Sequence, residues 1–443
     1  MIDLRHSVTH RKQALTRLLA VVQKHEKNVI NALYNDFQKP EFEAVVTETS
    51  YVISDLKHTI RKLKSWAKPM RVIPSLLNFP SSDYIYSEPY GKVLIIAPWN
   101  YPFMLALCPV IAAVAAGNQV VLKPSELAPN IASILEIIIS EAFDPTEVEV
   151  FQGGAEVSQM LINRKWDYIF FTGSVAVGRI VAEAAAKSLT PVTLELGGKS
   201  PCIVDESADL EITARRIIWG KFINAGQTCL APDYIIAHHG IREDLMKRLS
   251  DEITRAYGEH PEQSEDFARI ISDRHFARLQ SMIDPSKVYF GGSTDPASRY
   301  ISPTIINDPN GESAAMHEEI FGPLLPVLSY RDESEIERIV SRHEKPLSFY
   351  VFTRRKAFAD NLIRKFPFGG GCINDVVIHV ANRRLPFGGI GASGMGAYHG
   401  RTGFDTFSHR KSIVKRGTWI DLPIRYAPYK DKLGMVRRLL SWF

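Results

Sequence analysis

The chain has 443 residues, of which 45% are hydrophobic and 23% are charged, close to the averages of water-soluble globular proteins. Lys plus Arg number 53 and Asp plus Glu number 49, so the formal net charge is only +4. Proteins whose main activity is nucleic-acid binding concentrate positive charge, so this composition argues against that class. The length predicts two or three domains.

The four cysteines, Cys108, Cys202, Cys229 and Cys372, are widely separated and form no CxxC pair. Neither a metal site nor a disulfide framework is therefore expected. Isolated thiols are typical of a reducing compartment, which predicts a cytoplasmic protein. The first twenty residues lack the apolar stretch of a secretory signal. The longest apolar run, 103–117, is shorter than the roughly 20 residues of a membrane span.

The first seventy residues mix apolar and polar positions at helical spacing and contain no glycine, which predicts helices. Prolines then punctuate residues 69–89. Within that stretch, the β-like residues 83–87 predict a short exposed hairpin arm.

From Gly91 onward, short apolar strands alternate with helices. The predicted strands are 92–96, 119–122, 148–151, 167–171 and 192–196, and the predicted helices are 103–116, 131–142 and 174–187. A second series follows Gly198, with strands at 202–204, 234–238, 326–329 and 347–352 and a helix at 208–223. Continuous apolar strands separated by helices are typical of parallel sheets covered on both faces. The sequence therefore predicts two parallel-sheet α/β domains.

Two segments carry groups suited to covalent acyl chemistry. Cys229 ends the run Asn-Ala-Gly-Gln-Thr-Cys, whose small residues allow a ligand to approach the backbone closely. Glu195 lies in an apolar strand that ends at a Gly-Gly turn, where apolar surroundings would raise its pKa. A thiol and a carboxylate that meet in space provide a nucleophile and a base. A helix beginning after the cysteine loop would lower the thiol pKa.

Each of these residues also has a structural interpretation. Most isolated cysteines are buried and inert, and a glutamate at the end of a strand can face solvent. Asn100, in Pro-Trp-Asn-Tyr-Pro, follows a buried strand, and ligands of parallel α/β sheets bind at the carboxyl ends of strands. Its amide is suited to donate to an oxyanion. The alternative is a turn asparagine in a loop shaped by the two prolines.

Two further elements indicate a dinucleotide. Residues 170–178 form a strand, a turn at Gly173 and Ser174, and a helix start that contains Gly178. Free N–H groups at a helix start bind pyrophosphate, although the Gly-x4-Gly spacing is weaker than the full GxGxxG pattern. Lys123 and Glu126 follow the predicted strand 119–122, where they are suited to hydrogen-bond ribose hydroxyls. A solvated turn is the alternative for this pair.

All these segments occur together in the order found in the aldehyde dehydrogenase superfamily, which the sequence resembles over nearly its whole length. Gln-Thr-Cys-Leu-Ala-Pro-Asp-Tyr at 227–234, Pro-Phe-Gly-Gly-Ile-Gly at 386–391 and the tail motifs at 393–400 and 404–410 are similar to the class 3 branch. Many superfamily members have a lysine where this chain has Pro109. The class 3 branch also lacks that lysine, so the departure agrees with the branch.

The resemblance implies a role for each matching residue. Cys229 matches the nucleophile, Glu195 the general base, and Asn100 the oxyanion donor, which acts with the backbone N–H of Cys229. The matches to cofactor contacts are Gly173, Ser174 and Gly178 at the pyrophosphate turn, Lys123 and Glu126 at the adenosine ribose, and Glu319 and Phe321 at the nicotinamide ribose and ring. These roles imply oxidation of an aldehyde through a thioester on Cys229, which water then hydrolyses.

The resemblance also implies an organisation. An NAD(P)-binding domain comprises residues 1–76 and 91–197, a catalytic domain 198–395, and a small β oligomerisation arm 77–90 and 404–418. NAD is the expected cofactor because Glu126 would repel the 2′-phosphate of NADP, although class 3 enzymes often accept both. A homodimer is expected, and so are medium- or long-chain aliphatic or aromatic aldehydes, with Tyr101 lining their pocket.

The C-terminal segment 426–443 is basic and amphipathic. One helical face carries Leu433, Val436, Leu440 and Phe443, and the positive charges are Lys430, Lys432, Arg437 and Arg438. This pattern fits a membrane surface. A helix packed across the substrate entrance or against a dimer partner is the favoured alternative, because one short segment anchors a protein only weakly.

Two rival functions differ in what they require. A dehydrogenase that passes its thioester to coenzyme A has no use for a hydrolytic carboxylate at Glu195. A structural protein derived from the same family, like some lens crystallins, would have lost active-site residues. Cys229, Glu195, Asn100 and Glu319 are all present, which disfavours both rivals.

Overall fold

The structure, a computed structural model, describes residues 7–75 and 78–441. The helices are α1 Val8–Lys24, α2 Glu26–Phe37, α3 Glu41–Ala44, α4 Ser50–Trp66, α5 Met104–Ala116, α6 Pro129–Ala142, α7 Ala155–Ile162, α8 Val175–Ala186, α9 Leu210–Phe222, α10 Arg242–Tyr257, α11 Asp273–Gln280, α12 Glu333–Val340, α13 Lys356–Lys365, α14 Gly400–Thr406 and α15 Leu433–Leu440. The strands are β1 Met70–Val72, β2 Ser81–Pro89, β3 Lys92–Ile96, β4 Gln119–Lys123, β5 Val148–Val150, β6 Tyr168–Thr172, β7 Val192–Glu195, β8 Pro201–Val204, β9 Tyr234–His238, β10 Val288–Phe290, β11 Thr294–Asp295, β12 Tyr300–Ile301, β13 Thr304–Asn307, β14 Leu324–Tyr330, β15 Ser348–Phe352, β16 Gly370–Ile373, β17 Gly394–Met395 and β18 Ser408–Arg416.

The first sheet has the strand order β17-β7-β6-β3-β4-β5. Strands β3 to β7 are mutually parallel, as the apolar runs predict, whereas β17 pairs antiparallel with β7. Helix α5 is apolar on all sides and is almost entirely buried against this sheet and α4, which explains its unbroken hydrophobic sequence. Because β17 is formed by residues 394–395, the chain returns to the first sheet at the end of the range predicted for the catalytic domain.

The second sheet has the strand order β10-β13-β14-β9-β8-β15-β16. Its strands are parallel except for β10 at one edge. The central strands are buried along nearly their whole length, so their side chains form the core on both faces. The fold is thus α/β with two largely parallel sheets, as the sequence predicts.

The hairpin predicted around 83–87 is present as the antiparallel pair of β1 and β2, but it is half-buried and is part of a larger sheet. Strand β2 extends over Ser81–Pro89 and pairs antiparallel with β1 on one side and with the distant β18 on the other. Every residue of β2 is half-buried. This arm sheet, formed by β1, β2 and β18, therefore depends on a pairing between residues more than three hundred positions apart, which a local turn pattern does not reveal.

The C-terminal helix α15 is shorter than the predicted amphipathic segment. Of the predicted apolar face, Leu433 and Leu440 are exposed, Val436 is half-buried, and Phe443 lies outside the described residues. None of the helices in the described ranges combines the length and the apolar composition needed to cross a bilayer.

Candidate active site

One cavity of about 590 Å³ lies where the carboxyl ends of β3, β6 and β7 face the second sheet. Asn100 follows β3, Gly173 and Ser174 follow β6, and Glu195 ends β7, so the topology of a parallel sheet brings them to one edge. Cys229 reaches the same cavity from the loop after α9. The thiol, the carboxylate and the amide, which are far apart in sequence, thus meet as predicted.

The cysteine loop is held in an uncommon backbone conformation. Asn224, Ala225 and Gly226 all have positive φ angles, of 56°, 51° and 74°. A Cβ at Gly226 would collide with the carbonyl of Gly322, so only glycine fits there. The side chain of Gln227 fixes the loop by donating to the carbonyls of Asn224 and Arg269 and accepting from the N–H of Ile271, each at 3.0 Å.

No helix begins after this loop, so the expected lowering of the Cys229 pKa is wrong. The chain passes from the 3-10 turn Ile223–Gly226 through a short turn into β9. Burial, aided by the nearby carboxylates of Glu319 and Glu195 and opposed by the backbone N–H groups of Cys229 and Leu230, raises the pKa of Cys229 to about 12. The thiol is therefore protonated at neutral pH until another group draws its proton away.

Glu195 is buried, and neither of its carboxylate oxygens has a hydrogen-bond partner among the described residues. Burial raises its pKa well above the ordinary value for a glutamate. A buried carboxylate without a partner is unfavourable when ionised, so the group binds a proton readily and lies beside the cavity in a state suited to acid–base chemistry.

Asn100 is buried between the two sheets. Its side-chain Nδ2 donates to the carbonyl of Gln227 at 3.1 Å, and its own carbonyl accepts from Asn224 Nδ2 at 2.8 Å. An amide nitrogen carries two hydrogens, so this arrangement leaves one N–H for a ligand in the cavity. The hydroxyl of the neighbouring Tyr101 lies 2.6 Å from Thr228 Oγ1, and Tyr101 lines the cavity as predicted.

The turn after β6 has the features of a pyrophosphate site. Ser174 caps α8 by accepting from the N–H of Val177 at 3.4 Å, and the free N–H groups of this helix start face the cavity edge. A Cβ at Gly178 would meet Leu196 at 2.6 Å, so glycine lets the helix approach the sheet. At the carboxyl end of β4, which is separated from β6 by β3, Lys123 Nζ lies 2.6 Å from Glu126 Oε2. Lys123, Glu126 and Gly178 lie outside the cavity lining.

Glu319 and Phe321 line the cavity on the side of the second sheet. Burial raises the pKa of Glu319 to about 8. Its carboxylate lies so close to Gly197 that a Cβ there would overlap it. Phe321 meets the edge of Trp99, with 5.3 Å between ring centroids. With the pyrophosphate turn, this pair makes a cradle whose donors and apolar faces fit a nicotinamide dinucleotide.

Several further residues line the dinucleotide side of the cavity, although no sequence motif predicted a role for them. His275 packs against Trp99 with 4.9 Å between ring centroids, and Arg278 donates to Glu318 Oε1 and to the Glu319 carbonyl, each at 3.1 Å. Trp99 belongs to a motif noted in the sequence, but His275 and Arg278 lie on an ordinary amphipathic helix. Nothing local distinguishes them from surface residues.

The opposite part of the cavity is apolar. Its lining comes from Val46, Tyr51, Met104, Leu105, Trp219, Ile223, Leu230, Val377, Ile378, Val380 and Phe387. The charged side chains of the lining are Glu195, Arg278, Glu318 and Glu319, and apart from Glu195 they lie on the dinucleotide side. The cavity therefore joins a polar dinucleotide cradle to an apolar chamber, with Cys229 and Asn100 between them.

Comparisons with known proteins agree with this geometry. The sequence model of the aldehyde dehydrogenase family matches residues 5–413. The chain is 45% identical over 432 residues to the 4,4′-diaponeurosporen-aldehyde dehydrogenase of Staphylococcus aureus, covering 97% of this chain and 94% of that protein. It is 45% identical over 408 residues to the dimeric NADP-preferring aldehyde dehydrogenase of Rattus norvegicus, covering 92% and 90%.

A solved structure shows the same similarity to aldehyde dehydrogenases. The substrate-bound state of Staphylococcus aureus AldH superimposes with a TM-score of 0.96 at 44% identity, covering 98% of this chain and 95% of that one. A further sequence relative, aldehyde dehydrogenase family 3 member A2 of Rattus norvegicus, is 43% identical over 407 residues, covering 92% of this chain and 84% of that protein.

Proposed function

Because the chain belongs to the aldehyde dehydrogenase family and its class 3 branch, whose members oxidise aldehydes to acids with NAD(P), we propose that Cys229 is the nucleophile, Asn100 the oxyanion donor and Glu195 the hydrolytic base. The observation that carries the proposal is the convergence of these three groups on one cavity. In that cavity neither carboxylate oxygen of Glu195 has a hydrogen-bond partner in the described part of the chain.

In the first step the Cys229 thiol loses its proton to water, the resulting thiolate attacks the aldehyde carbon, and the electron pair of the carbonyl π bond moves to the oxygen, which becomes an oxyanion. The free N–H of Asn100 and the backbone N–H of Cys229 stabilise that charge. Loss of one such donor typically slows a reaction about 10²–10³-fold.

The residues of the dinucleotide cradle would hold NAD(P). Gly173, Ser174 and the start of α8 would bind the pyrophosphate, the Lys123–Glu126 pair the adenosine ribose, and Glu319 with Phe321 the nicotinamide ribose and ring. A bound nicotinamide would supply the acceptor for the hydride of the carbon attached to Cys229, and loss of that hydride would leave a thioester. Glu195 then takes a proton from water, the resulting hydroxide attacks the thioester carbon, and the thiolate leaves as the acid is released.

Cys229→Ala tests the nucleophile. Aldehyde oxidation should fall by about 10⁴-fold or more, because removal of a nucleophile eliminates the covalent route. NADH binding, measured by its fluorescence, should remain. Cys372→Ala is the matched control, since Cys372 is also a half-buried thiol but lies outside the cavity lining. Substantial residual turnover in Cys229→Ala would exclude this nucleophile.

The apolar chamber supports medium- or long-chain aliphatic or aromatic aldehydes as substrates. Burial of each additional methylene contributes about 0.8 kcal/mol, so kcat/KM should rise with chain length until the chamber is filled. A kinetic panel of straight-chain and aromatic aldehydes, run with both NAD and NADP, measures this. Equal kcat/KM from acetaldehyde to decanal would contradict the assignment.

We also propose a cytoplasmic homodimer joined through the arm sheet, with the chain divided as the sequence predicts: 1–76 and 91–197 for the cofactor, 198–395 for catalysis, and 77–90 with 404–418 as the arm. The rat relative is named as dimeric. Light scattering at micromolar concentration tests the dimer, and a monomer would contradict it.

Helix α15 is proposed to contact the partner chain. Its residues Leu433, Met435 and Leu440 are exposed, and no described residue beyond Tyr398 lines the cavity, so it does not cover the substrate chamber of its own chain. Liposome flotation of the intact protein and of a truncation at Tyr429 distinguishes a membrane role. Flotation of the intact protein alone would favour the membrane.

A further inference from the structure

A buried ion pair lies behind the loop that carries Asn100. Lys39 and Glu48 are both fully buried, and Lys39 Nζ lies 2.9 Å from Glu48 Oε1. Two buried charges are stable together only when hydrogen bonds satisfy their remaining atoms. The contacts of this pair therefore indicate what it supports.

The second oxygen of Glu48 supports the start of α5. Glu48 Oε2 accepts the backbone N–H groups of Phe103 at 3.1 Å and Met104 at 2.8 Å. The first N–H groups of a helix have no partner within the helix, so an external acceptor fixes where it begins. Here the fixed point lies three residues after Asn100, which leaves the loop little freedom.

The local backbone places Glu48 for this contact. It lies in a π-helical turn, Val45–Thr49, between α3 and α4. Such wide turns are rare and occur often at functional sites. The partner cation touches the same loop, because Lys39 Nζ lies 4.0 Å from the ring centroid of Tyr101, the residue after Asn100.

The backbone of Asn100 itself is held by the loop that carries Cys229. Asn224 Nδ2 donates to the carbonyl of Asn100 at 2.8 Å, and the backbone N–H of Asn224 donates to Glu43 Oε2 at 2.9 Å. Glu43 precedes Glu48 by five residues on the same helical segment. One N-terminal segment thus holds both the Asn100 loop and the Asn224 turn.

We propose that Glu48 and Asn224 are positioning residues for the reaction: together they hold the Asn100 loop so that the free N–H of its side chain points at the oxyanion. This inference rests on the proposed oxyanion role of Asn100. Glu48 lies in none of the sequence motifs, Asn224 begins the cysteine run but has no role assigned there, and neither residue lines the cavity. Each acts on Asn100 through the backbone.

A double-mutant cycle tests the inference. The acylation rate is measured as the burst of NADH formation at saturating cofactor. Glu48→Gln removes the charge that fixes Phe103 and Met104, and it should slow the burst about tenfold, because misplacement of a catalytic group by a fraction of an ångström has effects of this order. In an Asn100→Ala background the same substitution should slow the burst less than about twofold, because the group it positions is gone.

Alkylation of Cys229 by iodoacetamide distinguishes misplacement of the Asn100 side chain from general disruption of the active site. That reaction forms no oxyanion, so its rate in Glu48→Gln should stay within about twofold of the unsubstituted protein. Asp36→Asn is a matched control, because Asp36 accepts the N–H groups of Asn130 at 3.1 Å and Ile131 at 3.0 Å at the start of α6, far from Asn100 in sequence. It should lower the melting temperature without slowing the burst.

Asn224→Gly keeps the inference testable if Glu48→Gln does not fold. Glycine accepts the φ of 56° at this position, so the loss is confined to the hydrogen bonds that Asn224 Nδ2 donates to the carbonyls of Asn100 at 2.8 Å and Gln227 at 3.2 Å. It should slow the burst about fivefold, with the same dependence on Asn100. Equal slowing in both backgrounds, or equal slowing by Asp36→Asn, would overturn the inference. An unchanged burst in Asn100→Ala alone would instead contradict the proposed function.

Discussion

Glu48 and Glu195 are both buried glutamates near the active-site cavity, but their surroundings are opposite. Glu48 has an ion pair with Lys39 and accepts two backbone N–H groups. Glu195 has no hydrogen-bond partner among the described residues. One carboxylate is bound on all sides by the fold, and the other faces a cavity.

The contrast separates a structural from a chemical use of the same side chain. A carboxylate whose oxygens are held by an ion pair and by backbone N–H groups resists movement, so it suits a holding role. A carboxylate without a partner has a raised pKa and exchanges protons readily, so it suits a general base. The kinetics of the two Gln variants should therefore differ in the step that is slowed.

The largest expected difference lies in steady-state turnover. Glu195→Gln should retain the NADH burst, because hydride transfer does not require the hydrolytic water, whereas the rate after the burst should fall about 10²–10⁴-fold. Glu48→Gln should instead slow the burst itself. Stopped-flow absorbance at 340 nm measures both phases. A normal steady-state rate in Glu195→Gln would remove Glu195 from the mechanism.

The pH dependence of turnover should distinguish the same two variants. Only ionised Glu195 accepts a proton from water, and its pKa is raised by burial, so the rate after the burst should increase with pH, about tenfold per unit below that pKa. The burst is measured separately, because burial also raises the pKa of the Cys229 thiol. The post-burst rate of Glu195→Gln should lose this dependence, and that of Glu48→Gln should keep it. Identical pH profiles of the post-burst rate in the two variants would contradict the proposed difference between Glu195 and Glu48.

A third carboxylate, Glu126, is intermediate in its surroundings, since it is exposed but pairs with the buried Lys123. Glu126→Gln removes the charge proposed to repel the 2′-phosphate of NADP. The ratio of kcat/KM for NADP to that for NAD should rise about tenfold. Glu136→Gln makes the same charge change on the exposed face of α6 and should leave the ratio unchanged. An equal rise in both variants would point to net charge rather than to a specific contact.

The smallest effect is on thermal stability, and its sign should differ between the two buried glutamates. The unfolded chain ionises Glu195 near pH 4.3, whereas the folded protein resists this ionisation, so stability is lost as the pH rises above about 4.3 towards the raised pKa. At pH 8 Glu195→Gln should therefore raise the melting temperature by about 1–3 °C, and the gain should shrink towards pH 4.

Glu48→Gln should lower the melting temperature at pH 8, because it leaves Lys39 buried without its counter-ion. Differential scanning calorimetry measures both variants under the same conditions. A higher melting temperature in both Glu195→Gln and Glu48→Gln would show that the contacts of Glu48 do not stabilise its buried charge.

Much of the fold and the site could be predicted from the sequence. Strands β3 and β9 have the predicted bounds, and the other predicted strands and helices differ by a few residues at their ends, because apolar periodicity is a local property. Asn100, Gly173 and Glu195 share a sheet edge because each follows or ends a parallel strand, and this rule needs no coordinates.

What only the tertiary structure decided depends on contacts between distant residues. Strand β2 pairs with the distant β18 as well as with the adjacent β1. A turn and a strand, not a helix, follow Cys229, and burial raises its pKa. Glu48 gives no local indication that it caps a helix 55 residues later. Sequence periodicity determines which residues form strands and helices, whereas packing between remote segments determines which polar groups are satisfied and which remain available for chemistry.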